Sequence, residues 1–256
     1  MIGYIMKKYK YVVSVGCSFS ASDHADTRKT VNPGKTYGDV VSEHFEAKHY
    51  NLSRSGGSLL RMNRKTLEWC SKNTDEFEDT LIIIGLTVVN RSEIWSNGLD
   101  HWYAHPGYFQ EETSKPGLFK IDWPLRERKK WFINFFNDKS EFLLYTNIII
   151  GLQSFLELNN IDHIFFDALE PVDKYWERRC DDKEDKLGYK LLFDNLVSYE
   201  NWYKHPKWDS LLDLTESEIE MRIGPTDLGE DFHPNKKAHK YWGECLIEYI
   251  NEKINI

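Results

Sequence analysis

Cysteine is scarce in this 256-residue chain, and the four present, Cys17, Cys70, Cys180 and Cys245, stand far apart. They form no C-x-x-C pair and no Cys/His spacing suited to zinc, so neither a zinc module nor a disulfide framework is expected. They read as reduced thiols of a cytoplasmic protein. Long apolar runs are also missing. Nothing approaches the roughly 20 residues that a membrane-spanning helix needs. The opening "MIGYIMKKYKYVVSVG" reads as a route into a first strand rather than as a leader, because Lys7, Lys8 and Lys10 interrupt its apolar residues. There is no Gly-Lys-Ser/Thr loop and no G-x-G-x-x-G turn, which speaks against nucleotide and phosphate handling. Positive charge is outnumbered: 33 Lys and Arg face 41 Asp and Glu, for a formal net charge of -8. Such a surface repels phosphate backbones, so neither a nucleic-acid nor a membrane partner is expected. No repeat or low-complexity stretch breaks the chain.

Material for a core is plentiful, with 41% hydrophobic and 14% aromatic residues. "YKYVVSVG" has the β-branched and aromatic content of a strand ending at Gly16. "YGDVVSEHFEA" has helical spacing, "HYNL" reads as a short strand, and "GGSLLRMNRKTLEWCSK" as a second helix. "DTLIIIGLT" is a continuous apolar run, the pattern of a strand buried on both faces. A long helix follows through "FLLYTNIIIGLQSFLELNN", then a buried strand in "DHIFFDALEP". "NKKAHKYWGECLIEYINEK" closes the chain as an amphipathic helix with Ala238, Trp242, Cys245, Leu246 and Tyr249 on one face. Strands alternating with helices predict an α/β fold, a mostly parallel sheet covered on both sides in three layers, α/β/α. One domain spanning 1–256 is expected, with irregular insertions at about 95–130 and 172–229. The first is rich in aromatics, among them Trp95, Trp102, Tyr103, Tyr108 and Trp123, which suit either a sugar platform or a small satellite core.

Ligands of open α/β sheets bind beyond the carboxyl ends of the strands. The residues there are Gly16-Cys17-Ser18 after the first strand and Ser53-Arg54-Ser55-Gly56-Gly57-Ser58 after the second. Thr87, Asn90 and Arg91 follow the third, and Glu230, Asp231 and His233 precede the last helix. A serine attacks only if a base takes its proton and donors meet the oxyanion it creates. Ser18 with His233 as base, oriented by Glu230 or Asp231, satisfies the first condition. The backbone N–H groups of Ser18 and Gly56 are candidates for the second. Arg91 either meets an anionic substrate or pairs with an acid such as Glu93.

The ordered blocks "VVSVGCSFS", "NLSRSGGS" and "DFHPNKKAHKYW" resemble those of the SGNH, or GDSL-like, serine hydrolase family. Gly-Cys-Ser stands where Gly-Asp-Ser is usual, as in a bacterial and phage subset. The resemblance implies a flavodoxin-like α/β/α fold and a metal-independent esterase without cofactors. Its catalytic residues would be Ser18 and His233, and its substrates small-molecule or glycan esters, including O-acetyl groups. It also implies an oxyanion hole from Ser18, Gly56 and a third-block asparagine. Here "IIIGLTVVNRSEIW" departs from the pattern: Thr87 occupies the asparagine position, and Asn90 is the alternative donor. A threonine hydroxyl donates too, from a shorter reach. The acid position three before the histidine holds Glu230, while Asp231 lies two before; the shorter Asp231 suits a tight loop. The departure at Thr87 leaves a second expectation, a scaffold of this fold kept for binding rather than catalysis.

Overall fold

The computed structural model describes residues 7–21, 34–96, 101–105, 137–179, 183–226 and 229–253. Its centre is four parallel strands: β1 (Tyr11–Gly16), β2 (Lys48–Asn51), β3 (Thr80–Leu86) and β6 (Asp162–Asp167), in the order β2-β1-β3-β6. β3 is buried along its whole length, as its unbroken apolar run requires. Beyond β6, the backbone of 201–203 adds a further edge: Phe165 N–H donates to Asn201 and Tyr203 N–H donates to Phe165.

Chain order determines the layers. From β1 the chain moves one way through α1 (Tyr37–His44) to β2. It then returns across β1 through α2 (Leu59–Cys70) to β3. Right-handed crossovers in opposite directions put their helices on opposite faces. Accordingly α1 packs with the C-terminal helix α7 (Lys236–Lys253), and α2 packs with α3 (Asp138–Leu158). The result is the expected α/β/α sandwich, with its topological switch point between β1 and β3.

Local chemistry fixes the helix ends. Ser58 Oγ accepts the Arg61 N–H at the start of α2, Asn137 Oδ1 accepts those of Lys139 and Ser140 before α3, and Asn235 Oδ1 accepts those of Lys237 and Ala238 before α7. Each occupies an orphan donor of a first turn. On α7, Ala238, Trp242 and Leu246 are buried as expected, while Cys245 and Tyr249 lie at the border and His239, Gly243 and Ile250 complete the inner face.

At the start of the first insertion, β4 (Ser92–Ser96), which begins just before it, pairs antiparallel with β5 (His101–His105). Its remaining aromatics, Tyr108 and Trp123 included, lie outside the described residues. The second stretch was expected to be irregular, yet it holds α4 (Val172–Arg179), α5 (Lys183–Leu196) and α6 (Leu211–Ser217), followed by the antiparallel pair β7 (Arg222–Thr226) and β8 (Gly229–Pro234). These helices are short and charged, and they bury aromatics such as Trp176 and Phe193 against Phe142 of α3. The partner is distant in sequence, so local periodicity does not announce them. Cys17, Cys70 and Cys245 are free thiols; Cys180 lies outside the described residues.

Candidate active site

Register brings the first components together. β1 and β3 are neighbours with Gly16 opposite Gly85. Ser18 and Thr87, each two residues further on, therefore leave the same edge of the sheet at the switch point. Ser18 sits in a turn closed by Ser20 N–H donating to the Cys17 carbonyl at 3.0 Å. Cys17 is fully buried, and Ser18 is only 4% exposed.

The glycine loop docks beside it. Arg54 N–H donates to the Gly16 carbonyl, and Gly57 N–H donates to the Arg54 carbonyl at 2.9 Å, closing a turn. Gly56, at the third position of that turn, takes φ of 71°, where a side chain is strained. A Cβ on Gly57 would lie 2.9 Å from the carbonyl oxygens of both Arg54 and Gly16, so only glycine lets the turn approach β1 this closely. Among the described residues nothing accepts the N–H of Ser18 or of Gly56.

His233 arrives from far along the chain. It was expected in a loop; it lies on β8, which pairs with β7 and ends where α7 starts. Its Nε2 is 2.8 Å from Ser18 Oγ, and its ring lies against that of Phe19 at 4.8 Å between centroids. With the imidazole neutral and its proton on Nδ1, Ser18 O–H donates to Nε2. The side chains of Glu230 and Asp231 lie outside the described residues. Their backbones pair with Pro225 and Gly224.

The turn after β3 holds the other expected residues. Thr87 is 1% exposed. Its hydroxyl accepts from Arg91 Nη1 at 3.0 Å, and its carbonyl accepts from the Tyr145 phenol at 2.8 Å. Burial, with Asp167 and Cys17 nearby, raises the Tyr145 pKa and keeps the phenol a neutral donor. Asn90 is buried, and its Oδ1 has no partner among the described residues. Arg91 does not pair with Glu93, which is held at two points by Arg64 (3.0 and 2.8 Å). Tyr145 escaped the sequence reading: it is 58 residues from Thr87, and nothing local marks the contact.

A second Ser-His-Asp arrangement also escaped it. His49 Nδ1 meets Asp39 Oδ1 at 2.7 Å, and His49 Nε2 meets Ser14 Oγ at 2.8 Å. Asp39 Oδ2 accepts both the N–H and the hydroxyl of Thr36. Ser14 lies in the middle of β1 with no exposure, and a Cβ on Gly38 would come within 2.4 Å of the imidazole. No substrate carbonyl reaches that hydroxyl, so this relay is a structural tie between β1, β2 and α1. Among the described residues no group of three or more His, Cys, Asp or Glu side chains is placed to hold a metal.

A family model described as "Family of unknown function (DUF6071)" matches residues 21–187. The chain belongs to this family. No curated protein matches it in sequence. Among solved structures, the chain is similar to the psychrotrophic esterase EstA from Pseudoalteromonas sp., at 10% identity and a TM-score of 0.50, over 96% of this chain and 100% of that one. A carbohydrate esterase family 2 enzyme with a carbohydrate-binding domain, from Corynascus thermopiles (Myceliophthora fergusii), matches at 12% identity and a TM-score of 0.49. There 96% of this chain covers 67% of the other. A member of the lipolytic G-D-S-L family from Veillonella parvula DSM 2008 matches at 11% identity and 0.45, over 93% and 96% of the two chains. The likeness to EstA is one of fold alone, and the chemistry of this DUF6071 chain rests on its own residues.

Proposed function

We propose that the chain is a metal-independent serine esterase, with Ser18 as nucleophile and His233 as general base. The observation that carries this reading is the 2.8 Å contact between His233 Nε2 and Ser18 Oγ. It joins residues 215 apart at the switch point of the sheet, where doubly wound folds bind ligands. Ser18 Oγ bonds to the carbonyl carbon of an ester while its proton passes to His233 Nε2. The carbonyl electron pair moves onto oxygen, facing the uncommitted N–H groups of Ser18 and Gly56. Collapse expels the alcohol, which takes the proton from His233. Water, deprotonated by the same imidazole, then releases the acid and restores Ser18.

The β7–β8 register shifts between Asp231 and Pro234, so strand alternation does not carry across His233. The orienting acid of this reading is Glu230 or Asp231, and the shorter Asp231 suits the tight geometry better. Gly-Cys-Ser fits the resemblance to the GDSL-like subset, because a fully buried Cys17 fills that position without polar demands. Small-molecule or glycan esters are the substrates of this reading, in a cytoplasmic setting. The Ser18–His233 contact favours an enzyme over a binding scaffold because it lies at the strand-end edge, where the N–H groups of Ser18 and Gly56 have no acceptor among the described residues.

The test is labelling with a fluorophosphonate probe and turnover of p-nitrophenyl acetate by the wild type and Ser18→Ala. Both should vanish in the variant. A folded wild type that neither labels nor turns over would overturn the esterase reading and leave the scaffold.

A further inference from the structure

The turn after β3 departs from the asparagine that the resemblance leads one to expect, and its geometry suggests how the departure is met. Thr87 is fixed at two points. The Tyr145 phenol donates to its carbonyl at 2.8 Å, and Arg91 Nη1 donates to its hydroxyl oxygen at 3.0 Å. A guanidinium has donors only, so it occupies a lone pair of Thr87 Oγ1 and never takes the hydroxyl proton. Among the described residues no other group accepts that proton. A neighbouring cation that polarises the oxygen also makes the O–H a stronger donor. The hydroxyl is left with one proton to give, at the strand end adjoining that of Ser18.

We propose that Arg91 is a positioning residue of the Ser18 site, committing the Thr87 hydroxyl to donate to the oxyanion formed when Ser18 attacks. The inference rests on the esterase reading. Arg91 needs no contact with substrate for this role; it acts through Thr87. Thr87 itself is a catalytic residue, supplying the third donor beside the N–H groups of Ser18 and Gly56. The same arrangement explains why a buried threonine faces a cation rather than an ordinary acceptor.

The prediction is a non-additive pair. Steady-state kinetics on p-nitrophenyl acetate should show Thr87→Val losing on the order of 10²-fold in kcat, as for removal of one oxyanion donor. Arg91→Met should lose about 10-fold or more in kcat with KM within about twofold, since the contact acts on the transition state. The double variant should be no slower than Thr87→Val alone, because Arg91 has no effect without the hydroxyl it orients. Thr87→Ser and Arg91→Lys keep a hydroxyl and a cationic donor, and each should recover part of the loss while matching the wild type in thermal unfolding. Multiplicative losses in the double variant, or an Arg91→Met effect confined to KM, would overturn the proposal and make Arg91 an independent substrate contact. If the wild type is active and Arg91→Met is unimpaired, this proposal fails while the esterase reading stands. A folded but inert wild type defeats both.

Discussion

At the scale of single residues, the described residues hold two serine–histidine contacts of equal length, 2.8 Å each, and only one is placed for chemistry. Ser14 lies inside β1 with its histidine tied to Asp39, and no uncommitted N–H pair faces it. Ser18 lies past the strand end, next to the turn that carries Gly56, whose N–H has no acceptor among the described residues. Distance alone does not separate them; access and oxyanion donors do. Ser14→Ala should therefore leave fluorophosphonate labelling intact while lowering the melting temperature, because a buried imidazole loses its donor. The expected loss is about 1–3 kcal/mol in urea unfolding. Loss of labelling in a folded Ser14→Ala protein would reverse the assignment. The residues of the candidate site were legible in the sequence because each follows a strand signal: Gly16-Cys17-Ser18, Gly56-Gly57, Thr87. The Ser14–His49–Asp39 relay was not, since a serine within a strand and a histidine in "HYNL" carry no sign of which side chains will face one another.

At the scale of elements, one close approach seats the helix that follows His233. α7 begins two residues after β8 ends, and α7 is pressed against α1 at Gly243. A Cβ there would lie 2.7 Å from Val40 Cβ and 3.2 Å from the Tyr37 carbonyl oxygen. A larger residue must push the helices apart. Gly243→Val should destabilise the fold by about 1–3 kcal/mol, the usual cost of overpacking. Because β8 is continuous with α7, it should also slow phosphonate labelling of Ser18. Unchanged labelling together with a lowered unfolding midpoint would show that β8 holds His233 independently of α7. α7 was legible from its apolar face, and β3 from its unbroken run. The helices at 172–217 stayed hidden, because their apolar residues are few and their burial comes from α3 rather than from their own periodicity.

For the whole molecule, acid should loosen the sheet through Asp39. Burial opposes its charge, but the His49 contact and the N–H and hydroxyl of Thr36 outweigh this and bring its pKa down to about 2, from an ordinary 3.8. A carboxylate whose pKa is depressed by folding stabilises the native state above its unfolded pKa. That contribution is therefore complete above about pH 4 to 5 and is lost as the pH falls towards 2. Unfolding midpoints measured between pH 5 and pH 2 should drop less steeply for Asp39→Asn than for the wild type, from a lower starting value. Equal slopes would show that this tie does not contribute to the acid sensitivity of the fold.

By itself, the sequence determined the layered α/β/α architecture and the strand ends where chemistry gathers. Both depend on local patterns: apolar runs for buried strands, a stripe of apolar residues for helices, and Gly or Ser where the chain turns. The tertiary structure alone decided which of those ends meet. Hydrogen bonding between β1 and β3 puts Ser18 level with Thr87, the β7–β8 pair carries His233 back across the molecule to Ser18, and Arg91 turns to Thr87 because Arg64 already holds Glu93. Such contacts join residues from 4 to 215 positions apart. Their partners are selected by packing and by competition for hydrogen bonds, which no local pattern of residues records.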